Sequence, residues 1–113
     1  WAFGVTAWEL LTGGDVPFSF IGSEEEVARR VVAGERLSRP DDCDDILWAT
    51  MMRCWADQPA DRPTFEQLAA ELANIMQKTL DKVAGEEGYA EELAVLRRWL
   101  ALRADYNAAD RVA

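Results

Sequence analysis

Histidine is absent from the 113 residues, and basic side chains are few: 12 lysines and arginines stand against 21 acidic residues, for a net charge of −9. Without histidine the chain lacks the commonest general base and the commonest neutral metal ligand. An excess of negative charge provides no general electrostatic attraction to nucleic acid or to anionic lipid. We therefore expect no nucleic-acid partner, no membrane contact from this segment and no metal site.

Cysteine and long hydrophobic runs are also scarce. The two cysteines, Cys43 and Cys54, do not have the CxxC spacing of a zinc site. We interpret them as reduced, half-buried thiols of a cytoplasmic segment, with a single disulfide as the alternative. The apolar stretch 1–11 is interrupted by Thr6 and Glu9 and is too short to span a bilayer. The protein that contains this segment could still be membrane-anchored.

The composition is that of a globular protein, because half of the residues are hydrophobic and five are tryptophans. Apolar residues recur at helical spacing, and no stretch alternates as a half-buried strand does. We therefore predict an all-α chain with five helices. They cover residues 1–12, residues 24–34, a third segment that begins after Asp42 or Asp44, a fourth from Thr64 as far as Val83, and a fifth from Tyr89 to about Asp105.

Two of the predicted helix starts carry capping signals. Ser23 precedes Glu26 by three residues, and Thr64 precedes Gln67 by three residues. In a capping box, the side chain of the residue before the helix accepts a hydrogen bond from the backbone N–H of the third helical residue. The side chain of that third residue accepts a hydrogen bond from the backbone N–H of the capping residue. We predict both boxes. Because the sequence opens inside its first helix, we also expect it to be a piece of a longer protein.

Three blocks of sequence occur in a recognisable order. They are residues 1–12 (WAFGVTAWELLT) before a glycine, residues 34–37 (GERL) before Pro40 and Cys43, and Cys54-Trp55 followed, after six residues, by 62–65 (RPTF). Together they resemble the C-terminal part of the C-lobe of a protein-kinase catalytic domain, over about residues 1–77. The Arg-Leu-x-x-Pro-x-x-Cys spacing is most like that of tyrosine kinases, and related serine/threonine kinases share much of it.

The resemblance implies an architecture and a function. Residues 1–77 would form the C-terminal segment of a kinase domain, with four C-lobe helices of the α+β kinase fold. Residues 78–113 would form a helical C-terminal extension of unknown role. The full-length protein would then be a phosphotransferase that phosphorylates protein, on tyrosine, with ATP and Mg as its cofactors. Its partners would be protein substrates and the rest of the kinase domain.

The sequence also departs from the kinase pattern. It contains no glycine-rich GxGxxG loop, no His-Arg-Asp, no Asp-Phe-Gly and no Ala-Pro-Glu, and these motifs carry phosphoryl transfer. We therefore assign no catalytic, cofactor-binding or metal residues to this chain, which alone should be inactive and act as scaffold and substrate-docking surface. The alternative is a non-catalytic protein, either a pseudokinase or a helical adaptor for protein–protein interaction.

Three residues and one surface are candidates for function. By the resemblance, Arg62 would pair with the glutamate of an upstream Ala-Pro-Glu motif; otherwise it is a solvent-facing arginine satisfied by Asp57 or Asp61. Glu9 would contact a basic substrate side chain, or is simply solvated. Tyr89, which follows acidic residues, is a candidate phosphorylation site. The apolar first helix should be surrounded by other parts of the lobe. If those parts are absent and the helix is exposed, it should cause self-association.

Overall fold

The computed structural model describes residues 1–84, 86 and 88–110, with side chains described as far as residue 105. Five α-helices and no strand are found in these residues, which confirms the predicted all-helical fold. The elements are α1 (Ala2–Leu11), α2 (Glu24–Val32), α3 (Asp45–Cys54), a 3₁₀ turn (Pro59–Asp61), α4 (Phe65–Val83) and α5 (Ala90–Asp110). The chain divides into two compact units, Trp1–Ala69 and Ala70–Ala113, and α4 begins in the first.

The first unit is organised by the packing of α1 against α3. Its buried apolar residues come from these two helices, from the first turn of α4 and from the loops between the helices: Trp8, Leu37, Cys43, Met51, Cys54, Trp55 and Leu68. The rings of Trp48 and Trp55 meet edge to face, with centroids 5.9 Å apart, a favoured geometry for aromatic pairs. A tryptophan-rich core therefore forms, as the composition predicts.

Gly4 allows the two helices to approach closely. A Cβ atom at this position would lie 2.6 Å from Nε1 of Trp55, well inside van der Waals contact. Trp55 is only 2% exposed and cannot easily move away from such a clash. The glycine in the first sequence block is therefore needed for packing, although it lowers the helix propensity of α1.

The helix starts agree with the capping predictions in part. At α4, the Thr64 N–H donates to Oε1 of Gln67 at 2.8 Å, and the Gln67 N–H donates to Oγ1 of Thr64 at 3.1 Å. This confirms a reciprocal capping box. At α3, the structure selects Asp44 rather than Asp42, because Oδ1 of Asp44 accepts from the backbone N–H groups of the first turn.

The capping box predicted at α2 is only half formed. Oγ of Ser23 accepts from the Glu26 N–H at 3.2 Å, but the Glu26 carboxylate accepts from Arg29 and Arg30 rather than from Ser23. The hydrogen bond from Arg29, followed by the one from Arg30, holds the pKa of Glu26 below its ordinary value. Two nearby guanidinium groups therefore attract this carboxylate more strongly than one backbone amide does.

Two other predictions are corrected. The cysteines are free thiols but are buried rather than half-buried, with Cys43 6% and Cys54 1% exposed, because both belong to the core of the first unit. Burial raises the pKa of the Cys43 thiol, which favours its reduced, protonated form. Helix α5 ends five residues later than expected, at Asp110, in a segment rich in alanine, the best helix former.

In the second unit, Leu80 of α4 and Leu93 of α5 are buried, at 1% and 6% exposure. The predicted domain boundary after residue 77 is not tested by the structure and stays a prediction. Among the described residues, no helix combines the length and the apolar character that crossing a bilayer requires.

Candidate functional site

Two arginines and a tryptophan meet at one place in the first unit. The guanidinium carbons of Arg36 and Arg62 lie 5.0 Å and 5.1 Å from the ring centroid of Trp1. Each residue of this arginine–tryptophan cluster (Trp1, Arg36 and Arg62) comes from a different one of the three sequence blocks. Cations at such distances from an indole ring are attracted by its electron-rich face. The packing of the helices thus joins the three blocks at one site.

Arg36 is held by acceptors from three parts of the chain. Its Nε donates to the Trp55 carbonyl at 2.9 Å, and its Nη1 donates to the carbonyls of Val31 and Glu35 at 2.9 Å. Its Nη2 donates to Oδ1 of Asp57 at 2.8 Å. The Arg36 side chain is 14% exposed, whereas that of Asp57 is 77% exposed. Arg36 therefore links the end of α2 to the chain that follows α3, and its role is structural.

We expect Arg36→Ala to lower the free energy of unfolding by about 2–3 kcal/mol, because the substitution leaves half-buried carbonyls without their charged donor. Urea unfolding followed by tryptophan fluorescence measures this change. The matched control is Arg29→Ala, since the Arg29 side chain is 71% exposed and pairs only within α2. Loss of such an exposed pair should change stability by about 0.5 kcal/mol or less. Equal effects of the two substitutions would contradict the structural role of Arg36.

Arg62 has fewer contacts than Arg36. Its Nε donates to the Ala56 carbonyl at 2.9 Å, and its Nη2 makes a longer contact, 3.4 Å, with the Asp57 carbonyl. The alternative of a solvent-facing arginine satisfied by the Asp57 or Asp61 carboxylate is therefore corrected: Arg62 is half-buried and bonds backbone carbonyls. The Asp57 carboxylate is instead bound by Arg36. No carboxylate within the described residues forms an ion pair with Arg62.

A cleft of about 470 Å³ lies beside the arginine–tryptophan cluster. Its walls are largely apolar and come from the start of α1, the end of α3 and the start of α4: Trp1, Ala2, Phe3, Cys54, Pro63, Thr64, Phe65 and Leu68. The Phe65 side chain is 82% exposed. The cleft could therefore accept an apolar side chain next to a group that binds Arg62.

A second cleft, of about 550 Å³, lies where the loop after α1 meets the loop after α2. Nε1 of Trp8 donates to the Ser38 carbonyl at 2.8 Å and joins α1 to the loop after α2. The apolar residues Val16 and Phe20 remain 66% and 73% exposed at this cleft, with Asp15 and Glu35 also lining it. Arg36 lines it as well, so the arrangement suits a protein segment whose contacts with the cleft are mainly apolar.

The other predicted residues, Glu9 and Tyr89, are not members of the arginine–tryptophan cluster. Glu9 is exposed near the end of α1 and does not line the second cleft. Tyr89 is 50% exposed, and its carbonyl accepts from the Leu93 N–H at the start of α5. The sequence pattern does not single out Arg36 as a site residue, although Arg36 lies within the GERL block. The number of acceptors around its guanidinium could not be read from that block.

Comparison with known proteins gives consistent results. A family model described as protein tyrosine and serine/threonine kinase matches residues 1–72. The tyrosine-protein kinase transforming protein RYK of avian retrovirus RPL30 is 42% identical over 77 residues, which are 68% of this chain and 17% of that protein. Vascular endothelial growth factor receptor 2 of Danio rerio is 40% identical over 77 residues, which are 68% of this chain and 6% of that protein.

The tyrosine-protein kinase receptor TYRO3 of Rattus norvegicus is 40% identical over 76 residues, or 67% of this chain and 8% of that receptor. The chain thus spans less than a fifth of the length of these relatives. The family match includes α1, α2, α3 and the first part of α4, and it ends before α5.

Proposed function

The chain belongs to the protein tyrosine and serine/threonine kinase family, and from that membership we propose that it is the C-terminal segment of the C-lobe of a kinase domain, most like that of a tyrosine kinase. Its all-helical structure is consistent with this position. Two of the three relatives named above are described as tyrosine-protein kinases, which supports tyrosine as the target. Residues 1–77 are the proposed kinase segment and residues 78–113 the proposed extension.

The proposal rests on the contacts that Arg62 makes and on the acceptor that it lacks. Three family-like blocks place Arg62 on Trp1, beside an apolar cleft, with carbonyl acceptors and no carboxylate partner within the described residues. An arginine with five N–H donors can bind a carboxylate through two parallel hydrogen bonds in addition to these contacts. An upstream glutamate of an Ala-Pro-Glu motif would supply that carboxylate and fix the activation segment against this unit.

The activity then belongs to the full-length protein. The full-length protein transfers phosphate from ATP, with Mg, to protein substrates on the cytoplasmic side of the cell. This segment contributes scaffold and docking surface. The second cleft, with its exposed Val16 and Phe20, supports a docking role. Glu9 is a proposed contact for a basic substrate residue, and Tyr89 is a proposed phosphorylation site because its ring is half exposed.

Self-association through α1 is also proposed, on a smaller surface than the sequence predicts. Trp8 is buried at 7% exposure, and Phe3, Val5 and Ala7 pack against the core. Leu10 remains 77% exposed and Leu11 41% exposed. In a complete C-lobe these side chains would contact the neighbouring parts of the lobe.

We expect the isolated chain to bind no ATP-Mg and the full-length protein to phosphorylate a tyrosine peptide, because phosphoryl transfer depends on motifs that this sequence lacks. Calorimetry with millimolar ATP-Mg tests the first part, and labelling from radioactive ATP tests the second. The upstream coding sequence supplies the control: intact His-Arg-Asp, Asp-Phe-Gly and Ala-Pro-Glu motifs are expected. Saturable nucleotide binding by the chain would contradict the proposed function. So would a full-length protein in which these upstream motifs are substituted and which has no kinase activity.

A further inference from the structure

Helix α5 carries a stripe of exposed apolar side chains. Val95, Trp99 and Leu102 are 68%, 49% and 60% exposed. Their spacings of four and three residues place them on one line along the helix, as in the contact seam of packed helices. We call these three residues the α5 stripe. An isolated exposed leucine needs no explanation, but three large apolar side chains in one row indicate a contact surface.

The stripe is distinct from the face that α5 buries within its own unit. Leu93 is buried, and Leu96 and Leu100 are half-buried. At about 100° per residue, these leucines are centred roughly 120° around the helix from the α5 stripe. The helix therefore has one apolar face used inside the second unit and another left uncovered. The family match ends at residue 72 and therefore does not include the uncovered face.

Charged residues beside the stripe favour one kind of partner. Arg98 and Asp105 are both exposed and flank the stripe on the same side, while Arg103 lies on the other side. When two copies of α5 meet stripe to stripe in a parallel arrangement, Arg98 faces Arg103 of the second copy, and like charges repel. In an antiparallel arrangement, Arg98 faces Asp105 of the second copy. The two-fold symmetry then forms that attractive pair twice.

We propose that the α5 stripe is the contact surface of an antiparallel homodimer of this chain. Trp99 of each copy packs against Leu102 of the other at the centre, and Val95 extends the seam at each end. The two Arg98–Asp105 pairs set the direction and register. A lipid surface fits the helix poorly, because membrane-surface helices carry an excess of Lys and Arg on the polar face and this chain is acidic.

Sedimentation equilibrium of the complete chain tests the proposal. The contact is small, so the dimer should be weak, with a Kd on the order of 100 μM. In a Leu10→Glu background, which removes the proposed contact through α1, Trp99→Glu should abolish dimerisation because it places a charge at the centre of the seam. These side chains are exposed, so circular dichroism should show the same helix content in the variant. A wild-type chain that stays monomeric to about 1 mM overturns the proposal.

Charge reversal tests the antiparallel direction. Arg98→Asp and Asp105→Arg should each raise the Kd by about tenfold or more, because each creates facing like charges. The double variant Arg98→Asp/Asp105→Arg recreates the pairs with exchanged signs and should restore the Kd to within about threefold of the wild type. Tighter dimerisation of the Arg98→Asp variant would show a parallel arrangement and would overturn the proposal.

A matched control separates the seam from the net charge. Arg97→Asp makes the same change of net charge on the opposite side of α5, where Arg97 is exposed, and should leave the Kd within about twofold of the wild type. If Arg97→Asp weakened the dimer as much as Arg98→Asp does, the effect would come from net charge and not from the seam. If the dimer survived Trp99→Glu but not Leu10→Glu, the contact would lie on α1. If the full-length protein were monomeric and its Trp99 shielded from solvent, the α5 stripe would be covered by another segment of the same protein, and the proposal would be overturned.

Discussion

We expect Trp55→Ala to lower the free energy of unfolding of the first unit by about 3–5 kcal/mol, the range for removing a large aromatic side chain from a packed core. Trp55 is 2% exposed, lies beside Gly4 of α1 and meets the ring of Trp48. The cavity would open where α1 and α3 contact each other. Urea unfolding monitored by circular dichroism measures the change, since the substitution alters the fluorescence signal.

Two milder substitutions separate packing from hydrogen bonding. Nε1 of Trp55 is buried and has no hydrogen-bond partner among the described residues, whereas Nε1 of Trp8 donates to the Ser38 carbonyl. Trp55→Phe therefore loses packing alone, and Trp8→Phe loses packing and a hydrogen bond. We expect Trp8→Phe to be the more costly of the two by about 1 kcal/mol.

An exposed aromatic residue provides the control for the Trp55 substitution. Phe20 is 73% exposed, so Phe20→Ala should change the stability of the first unit by about 0.5 kcal/mol or less. If Trp55→Ala proved no more destabilising than Phe20→Ala, the α1–α3 contact would not be the core of this unit. The position of Gly4 within the first block would then have no packing explanation.

The second large effect is expected at Arg62, and it depends on whether the rest of the proposed kinase domain is present. In this chain, Arg62→Ala removes one good hydrogen bond, one long contact and the interaction with Trp1. We expect a loss of about 1 kcal/mol. In the full-length protein the substitution would also leave the proposed upstream glutamate without its partner, and such a loss typically costs about 3–5 kcal/mol for a buried pair. It should also lower kinase activity, because the activation segment loses its anchor.

Arg36 gives the matched control for Arg62, because both guanidinium groups lie on Trp1 but the acceptors of Arg36 all belong to this chain. Arg36→Ala should therefore cost the same in the chain and in the full-length protein, whereas Arg62→Ala should not. Arg62→Lys should behave almost as Arg62→Ala in the full-length protein, since an ammonium group cannot bind a carboxylate through two parallel bonds. An Arg62 effect that is equal in the two proteins would argue against the upstream pairing.

Local sequence signals predict the number and approximate position of the helices in this protein. Thr64 and Gln67 form the predicted reciprocal box, and Ser23 accepts from the first turn of α2, because caps depend on residues only three positions apart. The all-α fold follows from helical periodicity, which is also a local signal. The motif blocks identified the kinase family because their order along the chain can be read without coordinates.

The residues that meet at the site depend on contacts between distant parts of the chain. The Glu26 carboxylate binds Arg29 and Arg30 instead of completing its cap, and both cysteines are buried in the core. Arg36 reaches the Trp55 carbonyl, 19 residues away, and the Asp57 carboxylate, 21 residues away. Such contacts arise when α1 packs on α3 and brings distant loops together. A sequence pattern specifies which face of a helix is apolar, but the carbonyls and charges beside that face depend on how the helices pack.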